Sequence, residues 1–133
     1  MVTKEISRGW TAGILVCLAL EYLLGMYVAL FAAFPDEPEY LTESIIPKIA
    51  FGIHGLLGLI LLIISVVILV LGMKAKQAQA RKLALYGFLS ILLAFGAGMA
   101  TVMLKETASE VSSFVMSAGF LLSFVWYWKL YYS

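Results

Sequence analysis

Four unbroken apolar runs, each about as long as a bilayer is thick, decide most of what this chain can fold into. A membrane-spanning helix needs about 20 mainly apolar residues. Trp10 to Phe34, Ile49 to Met73, Leu83 to Leu104 and Val111 to Tyr132 all meet that length. The runs are too long for buried strands, and they lack the period-two alternation of a small outer-membrane barrel. The expected fold class is therefore all-α: an integral membrane four-helix bundle in a single domain spanning residues 1–133. The connections are short, which favours up-down-up-down order. Pro35 is expected to end the first helix, because the residue before a proline is pushed out of the α region. Pro47 suits the opening turn of the second, where a missing N–H costs nothing.

Composition matters here for what it excludes. The chain is 63% hydrophobic and carries 17 formally charged side chains in 133 residues, against about 25% charged in ordinary soluble domains. That rules out a soluble monomer, a nucleic-acid binder with a basic face, and a disordered tail. The lone Cys17 cannot close an intrachain bridge. There is no P-loop, dinucleotide fingerprint, metalloprotease pair or nucleophile elbow. One His and one Cys exclude a zinc site built from one chain's thiolates and imidazoles. No residue is assigned a catalytic role, and no metal site is assigned.

Direction follows from Lys and Arg. Lys4 and Arg8 precede the first span, Lys74, Lys76, Arg81 and Lys82 join spans two and three, and Lys129 lies near the C-terminus. Lys48 and Lys105 fall on the other side with Asp36, Glu37, Glu39, Glu43, Glu106 and Glu110. Both termini are thus expected to be cytoplasmic in a multi-pass protein of the cell membrane. Trp10, Tyr127, Trp128, Tyr131 and Tyr132 are expected to anchor at the cytoplasmic headgroups. The first run is too long for a signal peptide, contains Glu21, and precedes no small-x-small cleavage pattern, so it reads as retained. The acidic outer loop reads as the ordinary result of topology rather than a cation site, since it has no EF-hand pattern.

Small and polar residues mark the inward face of a transmembrane helix, because lipid gives no reward for burying Leu. Steps of three and four give Cys17, Glu21, Gly25, Val28 and Ala32 on the first span, and His54, Gly58, Leu61, Ser65 and Gly72 on the second. The third offers Gly87, Ser90, Ala94, Gly98 and Thr101; the fourth offers Ser112, Met116, Gly119, Ser123 and Trp126. Counted at 1.5 Å per residue, Glu21, Ser65, Ser90 and Ser123 form a polar layer near the midplane, with Glu21 a candidate proton-binding group. The bland alternative is a polar clasp that sets helix register. His54 and Met116 each lie five residues into their spans, at matching depth on inward stripes. An imidazole and a thioether across a bundle suit haem iron as an axial pair, although a lone His is more often a hydrogen-bonded interface residue and Met a core filler. Gly13, Gly25 and Gly55 are not all absorbed by the inward stripes and would let a neighbouring helix approach.

IHGLLGLILLIISVVILVL resembles the second helix of a half-bundle in the heme A synthase family, where a haem-ligating histidine precedes an LLG run. RKLALYGFLSILLAFGAGMATV resembles that family's third helix. Phe51 and Gly55 stand where the family carries Glu and Arg, and only one half-bundle is present. The resemblance implies a haem-binding or degenerate half-bundle, not the synthase activity. In having four spans and a mid-membrane Glu in the first, the chain also looks like the small multidrug resistance family, which implies a proton-coupled transporter using Glu21. The reading that absorbs most features is a small non-enzymatic subunit or accessory protein of a membrane complex. It would pack against other membrane subunits or itself through small-residue faces and contribute to a haem or quinone site.

Overall fold

The computed structural model describes residues 2–32, 37–42, 44–104 and 109–133, with side chains from residue 8 onward except at 40 and 109. It is all-helical: α1 (Val2–Phe31), α2 (Glu39–Thr42), α3 (Ile45–Met73), α4 (Ala78–Met103) and α5 (Ser109–Tyr132). The four long helices are each long and apolar enough to cross a membrane. Helices suit such runs because every backbone N–H and C=O finds its partner within the segment.

The boundaries differ from the apolar runs in instructive ways. The α1 helix ends at Phe31, with the Ala32 N–H still bonded to the Val28 carbonyl. Pro35, expected to end it, lies outside the described residues, as do Asp36, Glu43, Lys105 and Glu106. The α3 helix starts four residues before the expected Ile49, at Ile45, which puts Pro47 in its first turn. The α4 helix starts at Ala78, so the polar Gln79, Arg81 and Lys82 belong to its opening turns. Between α1 and α3 lies the short α2, unannounced by hydropathy, with the Thr42 hydroxyl donating to the Glu39 carbonyl at 3.1 Å.

Among the described residues, α1 packs on α3 and α5, α4 packs on α3 and α5, and the backbones of neither diagonal pair come together. Facing residues run in opposite directions along each seam. On α4 and α5, Gly87 meets Tyr127, Gly98 meets Met116, and Thr101 Oγ1 lies 2.9 Å from Ser112 Oγ. On α1 and α3, Gly25 meets His54 while Gly58 meets Glu21. Neighbours are therefore antiparallel, in a four-cornered bundle.

The best-packed core lies in the half that carries both ends of the chain. Ile14 and Leu18 of α1, Leu61 and Ile68 of α3, Leu83 and Ile91 of α4, and Tyr127 and Leu130 of α5 are buried there. The expected stripes hold through their middles, with Glu21, Leu61, Ser65, Gly87, Ser90, Ala94, Gly119 and Ser123 all buried. At the terminal end α5 departs from expectation. Tyr127, expected as an interfacial anchor, is fully buried, whereas Trp126, expected inside, sits at the edge against Tyr86 with ring centroids 5.3 Å apart. Gly87 explains the exchange, because its missing side chain leaves a slot into which the Tyr127 ring fits. Outward positions such as Leu20, Leu23, Leu30, Leu56 and Ile63 are more than half exposed. An apolar exterior of this kind is consistent with a multi-pass membrane protein.

Candidate functional site: a glutamate–histidine pair between two glycines

Glu21 lies near the middle of the span from Arg8 to Phe31. It is 6% exposed, the one buried acidic residue among those described. Its Oε1 lies 2.8 Å from Nδ1 of His54, the only histidine in the chain. The contact has ion-pair distance without hydrogen-bond alignment, and Oε2, also buried, has no partner. The two side chains are unequally covered: that of His54 is 24% exposed and that of Glu21 is 8% exposed.

The pair rests on two glycines. A methyl group on Gly25 would lie 3.2 Å from His54 Cε1, and one on Gly58 would lie 3.5 Å from Glu21 Oε1 and 3.9 Å from Phe95. Each helix thus offers an ionisable residue and, four positions on, a glycine that receives the other helix's ionisable residue. Residues four apart share a helix face, so antiparallel packing matches Glu21-x3-Gly25 with His54-x3-Gly58. Gly25, on the expected inward stripe of the first span, is used within the chain. Gly13 and Gly55 do have nothing within 4 Å of a Cβ position.

Sequence reasoning singled out both members and did not join them. It set Glu21 near the midplane and His54 about 8 Å below the outer surface, by counting from expected helix ends. With the observed ends, Glu21 is ten residues before Phe31 and His54 nine residues after Ile45. At 1.5 Å per residue both then lie about 13–15 Å from the loop end of their helices. The repeated x3-Gly spacing was the signal that could have paired them.

The three serines are buried as expected, but each hydroxyl is committed to its own helix. Ser65 donates to the Leu62 carbonyl at 2.6 Å, Ser90 to Tyr86 at 2.8 Å and Ser123 to Phe120 at 2.6 Å. A hydroxyl returned to the preceding turn satisfies itself without a neighbouring helix. Glu21 therefore has His54 as its polar partner rather than a serine. A second polar group lies deeper in the terminal half, where the Tyr127 hydroxyl is turned toward Ser65 without hydrogen-bond geometry.

Met116 does not join His54. Its Sδ lies 3.1 Å from the Cβ position of Gly98, in the α4–α5 seam, whereas His54 belongs to the α1–α3 seam. The two side chains thus face different neighbours, His54 a carboxylate and Met116 a glycine. Two shallow hollows lie on the flanks. One, of about 380 Å³, is lined by Tyr86, Leu89, Ser90, Leu93 and Trp126; the other, of about 400 Å³, by Gly9, Trp10, Gly13, Cys17 and Ile64. Neither includes His54. Among the described residues no three His, Cys, Asp or Glu side chains gather as a metal site.

No family model matches the chain, and neither does any curated protein or solved structure. The likeness to a heme A synthase half-bundle accordingly rests on the text of α3 and α4 alone.

Proposed function

We propose that this chain is a small accessory subunit of a larger complex in the cell membrane, non-enzymatic, with both termini in the cytoplasm. The observation that carries the reading is the hollow on the outer flank of α1 and α3. Gly9 and Gly13 line it, four residues apart and exposed, with nothing within 4 Å of either Cβ position. Small residues at this spacing let a second helix approach to backbone contact, which is how helices associate where lipid removes the hydrophobic incentive. Cys17 continues the same line one turn further, and Trp10 borders it. The excess of Lys and Arg at the termini and in the 74–77 connection supports the orientation. Haem between His54 and Met116 is not part of this proposal, because those donors lie in different seams.

The test is purification of the tagged full-length chain from its native membrane in mild detergent, beside Gly13→Leu and Gly96→Leu. Gly96 is also exposed with nothing within 4 Å of its Cβ position, but it lies on α4. The expected result is a discrete membrane partner at fixed stoichiometry with the wild type and Gly96→Leu, and its loss with Gly13→Leu. A wild-type chain that runs monodisperse and alone would overturn the reading.

A further inference from the structure

We propose that Glu21 and His54 form a single proton-binding site inside the bundle, a carboxylate and an imidazole that share one dissociable proton. The inference does not depend on the chain being a subunit. Three features of the pair carry it: the 2.8 Å contact, the burial of Glu21 and the unpartnered Oε2.

With one dissociable proton between them the two groups are neutral as a unit, either as carboxylate with imidazolium or as carboxylic acid with imidazole. Loss of that proton to water leaves a neutral imidazole and a carboxylate of net charge −1 in an apolar seam. Oε2 has no protein donor to absorb that charge. Breaking a buried pair by neutralising one partner is unfavourable because the remaining charge is uncompensated. Proton loss therefore needs the seam to open or water to enter, and the occupancy of the site is linked to the spacing of α1 and α3.

The surroundings contribute little else. On α1 the nearest titratable group of the same stripe is Cys17, one turn away. On α3 the nearest basic residue is Lys48, six positions toward the loop end and engaged in an interaction of its own. At this level α4 presents Phe95, and α5 presents Phe120, whose ring lies 5.9 Å from that of Tyr22. Tyr127 lies in the terminal half beside Ser65. The two groups thus face each other with no third charge among the described residues to divide the coupling.

Glu21 is covered by Gly58 and His54, and the uncovered part of the imidazole lies within the apolar span, so neither group meets water unless the seam opens.

The experiment uses the full-length chain in lipid nanodiscs with isotopically labelled histidine, whose signal belongs to His54 alone. Imidazole nitrogen shifts are followed against pH, together with the infrared carboxyl band that Glu21→Gln removes. In the wild type the two signals are expected to change together at one midpoint. Glu21→Gln is expected to move the imidazole midpoint at least tenfold in proton concentration, and His54→Gln to displace the carboxyl band. Glu21→Asp, shorter by one methylene, is expected to fall between. The wild-type comparison stands even if a variant misfolds. Separate and independent midpoints, an imidazole midpoint within threefold of wild type in Glu21→Gln, or an imidazole that does not titrate would each overturn the proposal.

Discussion

At the scale of single residues, the bundle is shaped by places where it carries no side chain. A methyl group on Gly87 would lie 2.6 Å from Tyr127 Cζ and 2.7 Å from Cε1, so it would have to drive a fully buried ring out of its slot. Overpacking of that kind costs about 1–3 kcal/mol. Gly96 has nothing within 4 Å of its Cβ position, and alanine there should gain up to ~1 kcal/mol of helix propensity. Gly87→Ala is therefore expected to lower the unfolding midpoint in detergent while Gly96→Ala leaves it level or raises it. The opposite order, measured by circular dichroism or thermal aggregation, would contradict the Tyr127 placement. The same logic explains Glu21 and His54. Neither could sit in a close helix seam against a larger residue, and each lies over a glycine of the other helix. Both residues were legible in the sequence as the rare polar groups of apolar helices. Their pairing was legible only in the shared x3-Gly spacing, because hydropathy misplaces the helix ends by several residues.

At the scale of elements, α4 and α5 make the most extensive contact in the molecule. Gly119 brings the backbones together, since its Cβ position lies 3.0 Å from the Ser90 carbonyl oxygen and 3.1 Å from the Ala94 nitrogen. Gly98 receives the Met116 thioether, and the Thr101 and Ser112 hydroxyls close the seam toward the loop end at 2.9 Å. This register is testable by oxidation. With Cys17→Ser as background, Thr101→Cys combined with Ser112→Cys should form an intrachain disulfide under mild copper catalysis. Moving the second cysteine to Phe114, which faces outward, should abolish it. A bond at 114 rather than 112 would show that α5 is rotated from this placement. The inward stripes of α4 and α5 were readable from the spacing of small residues. The place of Tyr127 was not, because Tyr ordinarily reads as an interfacial ring, and only the slot over Gly87 on another helix makes burial favourable.

For the whole molecule, the four antiparallel neighbours put both ends of the chain at one end of the bundle, together with the 74–77 connection and the better-packed core. The excess of Lys and Arg at that end predicts that it faces the cytoplasm. Again with Cys17→Ser as background, cysteines placed at Lys76 and Ser133 should react with a membrane-impermeant maleimide only after cells are opened. A cysteine at Leu41 in α2, which is 85% exposed, should react on intact cells. Labelling at Lys76 from outside would invert the topology and remove the basis for the cytoplasmic assignment. The helix count and fold class do not depend on that outcome, since they rest on length and hydropathy alone.

What this sequence determined by itself is the number and kind of its elements. Four long apolar runs have one economical way to satisfy their backbone hydrogen bonds away from water, and that way is helical. It also determined which groups are chemically scarce, since a single carboxylate and a single imidazole lie within the apolar stretches. Only the tertiary structure decided what these groups do to each other. Register across a helix seam is set by the side chains of two helices at once, so Glu21 faces His54 rather than a serine, and Met116 faces Gly98 rather than His54. Hydropathy is a property of one helix at a time and carries no information about which faces meet.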